Sequence, residues 1–198
     1  IQFKDTYGNM RILNLVGMAT KVDPSILAEA APQLVRKETG VDPAYDEEQD
    51  LVTSVTNTFF NGQLTSDERV QDPEHADAAE AFAAWLAKQM PSSYGTCAHE
   101  GLETVRMHNR EIVEQAERLN VRAGADSDVF HIMSESEWKA WLLLRLSGAR
   151  QVSQIVNIDA LRLPELDQKK VEQVMRDNPD AIVVDGQTFT VSYSVYSG

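Results

Sequence analysis

The residues best equipped for chemistry gather around Cys97, His99, Glu103 and His108. Thiol, imidazole and carboxylate groups at that density could ligate zinc or activate a cysteine nucleophile. The spacing serves neither purpose. His99 and His108 are nine residues apart, on opposite sides of a helix, and His99-Glu100 is not followed by a second histidine four positions on from the first. Cys97 and His99 stand too close in sequence for a nucleophile and its base unless a loop folds them together. Asp126, Asp128, Glu135 and Glu137 offer paired carboxylates of the kind used in glycoside hydrolysis. Loop solvation and helix capping account for all four. Gly148-Ala149-Arg150 lacks the spacing of a phosphate loop, and the acidic stretch 42–50 lacks the glycine and closing glutamate of an EF-hand. No residue is assigned a catalytic or metal-binding role, and no cofactor is expected in this chain.

Charge bounds the remaining possibilities. The formal net charge is −13, with seven basic against fifteen acidic residues up to Cys97 and eleven against sixteen after it. Such a body repels phosphate backbones, so any nucleic-acid contact must rest on a local basic patch or a basic partner domain. At 198 residues, 42% hydrophobic and 25% charged, the chain has an ordinary globular composition. The opening residues 1–9, beginning at Ile1, read as mid-domain sequence, which suggests a piece of a longer protein. No apolar run approaches the roughly 20 residues of a membrane span, and no signal peptide is visible. The single Cys97 excludes an internal disulfide and fits a reducing compartment, the cytoplasm being the expected location.

Residues 51–70 look like the organising stretch: β-branched and aromatic residues, then Asn61-Gly62, then a second extended run. Asn-Gly is a strong signal for a type I′ hairpin. Upstream, residues 9–19 read as a mostly buried strand, and Asp23-Pro24 opens a helix that stops or kinks at Pro32 and carries a further turn to Gly40. The acidic residues 42–50 read as a solvated connector. Asp72-Pro73 repeats the helix-start signal for an alanine-rich helix to about Met90, anchored by Phe82, Trp85 and Leu86. Leu102, Val105, Asn109, Ile112, Ala116 and Leu119 then step by threes and fours, a packing seam of heptad type. Arg106, Arg110, Glu114 and Arg118 form a neighbouring row expected to be exposed. Ser134-x-x-Glu137 is a capping box for a helix ending at Gly148, in which Trp138 and Trp141 read as core. Residues 155–163 could be strand or turn, and Pro164 is expected to start another helix. Around Asp185-Gly186, apolar and polar residues alternate as in a hairpin with one buried face.

Three stretches resemble a known family. Residues 7–35 are similar to the opening of the oligonucleotide-binding (OB) domain of DEAH-box RNA helicases. Val22, Pro24, Leu27, Ala31 and Pro32 match its Ile-x-Pro-x-x-Leu-x-x-x-Ala-Pro element. The hairpin, with Phe60-Asn61-Gly62 and Glu68-Arg69-Val70 before Asp72-Pro73-Glu74, resembles the strands that continue that domain. Asn109-Arg110-Glu111, and the terminal Asn178-Pro179-Asp180 with Tyr193 and Gly198, resemble the tail of bacterial HrpA-like helicases. The loop 123–128 is acidic where such tails often carry a basic run.

The resemblance implies an α+β chain. A small OB-like antiparallel β-barrel with an inserted helix would span residues 1–72 and a helical hairpin residues 73–125. An α+β tail ending in a β-hairpin would span 126–198. It implies a non-catalytic accessory C-terminal segment of an ATP-dependent helicase, with ATP and magnesium belonging to a parent whose ATPase core is absent here. Weak contacts to single-stranded RNA or DNA would come from Arg11, Lys21, Lys37 and Arg69, with Phe60 as the stacking candidate. The helicase core of the same chain would be a second partner, and no membrane is implicated. Two alternatives stand beside this reading. One is an acidic interaction module that docks a basic protein and has no nucleic-acid role. The other is a small enzyme built on Cys97, His99 and His108.

Overall fold

In the computed structural model the described residues are 2–4, 10–12, 24–90, 99–124 and 127–194, with the backbone alone described for 2–4, 10–12, 24, 25 and 27. The fold is α+β, with antiparallel sheets and several helices. In chain order the elements are β1 (Gln2–Lys4), β2 (Met10–Ile12), α1 (Pro24–Ala30), β3 (Val35–Asp46), β4 (Leu51–Phe60), β5 (Gln63–Gln71), α2 (Ala78–Gln89), α3 (Glu100–Ala123), α4 (Glu135–Leu146), α5 (Gln168–Asp177), β6 (Ala181–Val184) and β7 (Gln187–Thr190). Short 3-10 turns lie at Pro32–Leu34, Val152–Gln154 and Ile158–Leu161. The sheets are β1–β2, β3–β4–β5 and β6–β7. The chain divides into two units, residues 1–39 with 56–68 and residues 40–55 with 69–198.

The first unit holds β1, β2, α1 and the outer parts of β3, β4 and β5. Phe3 of β1 pairs with Arg11 of β2 in an antiparallel ladder. Of the strand expected over residues 9–19, the described part is β2; the remainder lies outside the described residues. Asn61 and Gly62 both have positive φ (47° and 80°), the type I′ geometry the sequence predicts. The helical turn expected between Leu34 and Gly40 is instead strand. Pro32 halts α1, a 3-10 turn redirects the chain, and Leu34 accepts a 2.9 Å hydrogen bond from the Asn61 backbone. Val35, Thr39 and Val41 then suit β pairing better than helix.

In the second unit the acidic stretch 42–50 is not merely a solvated connector. Asp42 to Asp46 complete β3, and Tyr45 is buried with its ring centroid 4.8 Å from Phe82 and 4.5 Å from Trp85. Asp50, at φ 49°, accepts from the Tyr45 hydroxyl (2.6 Å) and from the backbone N–H groups of Val152 (2.7 Å) and Ser153 (3.2 Å). Burial, its largest single influence, raises the Asp50 pKa, but the combined hydrogen bonds outweigh it and hold the carboxyl below its usual range. Burial and then this carboxylate push the Tyr45 hydroxyl upward.

The α2 helix begins at Ala78 rather than at Pro73. Asp72 does not cap it: its carboxylate accepts from the Ser54 hydroxyl at 2.7 Å, tying the end of β5 to β4. Ala78, Phe82 and Leu86 line one face of α2, and the small Ala83 and Ala87 let α4 approach closely. From α4 come Trp138, Leu142 and Leu146, and from α3 Leu102 and Val105, to close the main core. The seam residues of α3 are all buried as expected. Arg106, expected on an exposed row, is only 4% exposed; its guanidinium donates from two nitrogens to the partly exposed Glu103 carboxylate (2.8 and 2.6 Å), so its charge is buried but compensated. Arg110 and Glu114 of the same row are half-buried and pair with each other, also at 2.6 Å.

A second apolar cluster joins Ala116 and Leu119 of α3 to Phe130 and Val174. The Ser134–Glu137 capping box opens α4 as predicted, and Ser147 and Gly148 end it with positive φ. The next helix starts at Gln168, not at Pro164, because the Asp167 carboxylate caps the Lys169 N–H (2.9 Å). Asp185 and Gly186 form the predicted turn between β6 and β7, but the expected buried face is absent: every residue of both strands is exposed. Alternation gives a ribbon two faces; only a neighbour can bury one, and none of the described residues does so.

Two stability tests follow. Asn109 is fully buried, donating to the Leu161 carbonyl (2.8 Å) and accepting from the Leu163 N–H (2.7 Å). Asn109→Ala leaves both groups unpaired and is expected to cost about 2–4 kcal/mol in urea unfolding. For Asp50 the folded-state pKa is depressed, so its contribution is present above the unfolded value and is lost as pH falls through the folded one. Asp50→Asn, which tolerates the same backbone angle, should therefore lower the melting temperature at neutral pH. The gap to the unsubstituted chain should narrow as pH falls through the depressed Asp50 pKa, as read by thermal melts across pH.

Candidate nucleic-acid interface

The strand pattern at the open end of the β3–β4–β5 sheet places cations and aromatic rings together. Arg36 and Lys37 follow Val35 on β3, and Phe59 and Phe60 end β4 just before the Asn61-Gly62 turn. The Arg36 guanidinium lies 4.5 Å from the centroid of the Phe59 ring, a cation–π contact, and also pairs with Glu38 at 3.0 Å. Successive strand residues face opposite sides, so Lys37 and Phe60 belong to the face away from Arg36 and Phe59. Lys37 is exposed, while both phenylalanines are half-buried, neither sealed in a core nor free in water.

The sequence-predicted residues fare differently. Phe60 and Lys37 sit on this edge. Arg11 is in β2, opposite Phe3, and Lys21 lies outside the described residues. Arg69 belongs to the second unit, where its guanidinium contacts the Asp42 carboxylate (3.2 Å), the Asp42 carbonyl (3.4 Å) and the Thr53 hydroxyl (3.1 Å). It spans three strands from β5. Arg36 and Phe59 are not among the residues the sequence selects, although their neighbours Lys37 and Phe60 are; a helix before Gly40 gives no reason to pair Arg36 with the hairpin. The signal was available: Val35, Thr39 and Val41 are β-branched and stand between two prolines, Pro32 and Pro43.

Charge divides unevenly between the units. The first carries five basic and six acidic residues, the second thirteen and twenty-five. The first is thus near neutrality while the second holds almost all of the −13. A polyanion approaching the first unit meets far less repulsion than one approaching the second.

Three of the groups first considered for catalysis are engaged elsewhere. His108 donates from Nε2 to the Leu163 carbonyl (2.9 Å), Glu103 pairs with Arg106, and Glu137 accepts from the Ser134 N–H (2.7 Å). Cys97 and Asp126 lie outside the described residues. Among the described residues no cluster of His, Cys, Asp or Glu is arranged to hold a metal ion, and no helix is long and apolar enough to cross a membrane.

No protein-family model matches the chain, and no curated protein matches it significantly. Among solved structures, 98% of the chain aligns with 26% of the chain in a crystal structure of the E. coli DExH-box NTPase HrpB, at 15% identity and a TM-score of 0.26. At that TM-score the likeness carries no weight for fold or function.

The Arg36–Phe59 contact can be measured directly. A double-mutant cycle with Arg36→Ala and Phe59→Ala, followed by urea unfolding, is expected to return a coupling of about 0.5–1 kcal/mol, the range for an exposed cation–π pair. Additive single-mutant effects would mean that the two side chains do not meet in solution.

Proposed function

We propose that the chain is a non-catalytic accessory segment of a DEAH-box RNA helicase, and that its first unit, OB-like in role, helps to grip single-stranded nucleic acid. The carrying observation is the cation–aromatic edge on the unit that is nearly free of excess negative charge. Arg36 stacks on Phe59 on one face, and Lys37 accompanies Phe60 on the other. Aromatic rings give sequence-tolerant stacking for bases, and nearby cations hold the phosphates, which together make weak, salt-sensitive binding without a base code. The order of the helicase-like stretches along the sequence agrees with this reading. In the parent, ATP and magnesium would belong to the helicase core and not to this segment.

A second reading is favoured by the thirteen basic against twenty-five acidic residues of the second unit. That unit would serve as a docking module, for the helicase core of the same chain or for a basic protein. The two roles are compatible, since they fall on different units.

The test is an anisotropy titration of dye-labelled single-stranded RNA of roughly 15 nucleotides at low salt. Binding in the range of about 10–100 μM is expected, weakening with added salt. The pair Arg36→Glu and Lys37→Glu should abolish it, and Phe60→Ala should weaken it at least about fivefold. Absence of binding by the unsubstituted 198-residue chain at about 100 μM would leave the docking role alone.

A further inference from the structure

In the second unit a cavity of about 270 Å³ opens between α3, residues 129–133, residues 163–167 and the first turn of α5. Its wall is hydrocarbon, supplied chiefly by Ile112, Ala116, Ile132, Met133, Trp138 and Leu166. Its mouth is polar: Glu165, Asp167, Lys170 and His131 stand around it. Two of these are engaged with neighbouring groups. Asp167 caps α5, and His131 contacts the Glu137 carboxylate at 3.0 Å, which brings a third acid close to the opening. Glu165 is exposed on the rim and turned to no described cation.

We propose that this cavity receives one bulky apolar side chain, leucine or phenylalanine, carried on a basic peptide segment. The apolar wall selects the side chain, because a void of this size lined by hydrocarbon offers contact to a hydrophobic group and nothing to a polar one. The charge selects its carrier. Glu165 and Asp167 stand against the single Lys170 at the mouth, and the whole unit sets twenty-five acidic residues against thirteen basic. That field draws cationic segments in and turns polyanions and anionic small molecules away. One anchored apolar residue surrounded by complementary rim charges is the usual economy of a peptide interface. The proposal names the contact point for the docking role and is independent of nucleic-acid binding by the other unit.

The probe is a dye-labelled hexapeptide with a central leucine–phenylalanine pair flanked on each side by two lysines, titrated into the full chain and followed by anisotropy. Binding at about 10–100 μM in low salt is expected. Replacing the central pair by serines, or the lysines by glutamates, should each weaken it at least about tenfold. Ala116→Leu places extra methyl groups in the void. It should abolish peptide binding, with urea unfolding confirming that the variant folds despite the added volume beside Leu119 and Phe130. Glu165→Lys alters an exposed residue that takes no part in the core and should weaken binding about fivefold with normal folding. The proposal is overturned if the lysine-flanked peptide does not bind at about 100 μM, or if the serine peptide binds equally well. It is overturned equally if Glu165→Lys, or a folded Ala116→Leu, binds as the parent does. RNA binding by the first unit should be unaffected by either variant, so the two functional readings fail separately.

Discussion

The side-chain amide of Asn109 holds together pieces of the second unit that share no secondary structure. It sits with no solvent exposure in the middle of the α3 seam, otherwise filled by Leu102, Val105, Ile112, Ala116 and Leu119. Its nitrogen reaches the Leu161 carbonyl, with the Met90 sulfur at 3.6 Å, and its oxygen takes the Leu163 N–H. A buried amide left unpaired would be costly, so the irregular chain at 161–163 is confined to one path over α3. Leu161 is thereby delivered to the main core, and the chain leaves in the direction that forms the apolar cavity and α5.

Polar anchoring of this kind recurs wherever the chain is irregular. The Asn120 amide exchanges two hydrogen bonds with the backbone of Phe130. Asp50 gathers the Tyr45 hydroxyl and two backbone N–H groups from the turn at 152–154. Arg122 donates to the Asn178 carbonyl at 2.6 Å, pairs with Asp180 at 2.8 Å and lies 5.2 Å from the Tyr193 ring centroid. That clamp attaches the base of the β6–β7 hairpin to the end of α3, while its strands remain in solvent. Such a ribbon gains little from its own burial, so its attachment depends on these few polar contacts.

The residues that make the terminal part of the sequence resemble helicase tails thus have scaffold duties. Asn109 bridges, Asn178 and Asp180 receive Arg122, and the Tyr193 hydroxyl donates to the Pro179 carbonyl. They describe how the chain is pinned, which is information about architecture. The functional proposals rest on other residues: Arg36, Lys37, Phe59 and Phe60 at one end of the three-stranded sheet, and the rim of the cavity beside α3. The unequal partition of charge separates those two surfaces chemically, one tolerant of a polyanion and the other suited to a cation.

Local rules written in the sequence were enough for the elements with strong punctuation. Asn61-Gly62 and Asp185-Gly186 require positive φ and form turns; Ser134 and Glu137 satisfy free N–H groups and open a helix; the three–four spacing from Leu102 to Leu119 fits one face of a helix. Each depends on residues close in the chain. The tertiary structure decided what depends on distant partners. Residues 35–46 became strand because β4 lies beside them, although Pro32 and Gly40 had suggested a helical turn and the acidic residues after it a solvated connector. Arg106 became buried with its charge compensated by Glu103, and the ribbon after Asp180 stayed exposed because none of the described residues covers it. Arg36 met Phe59, and Asp50 met Val152, through chain separations of 23 and 102 residues. Sequence periodicity says which face a side chain takes; only packing determines what that face will touch.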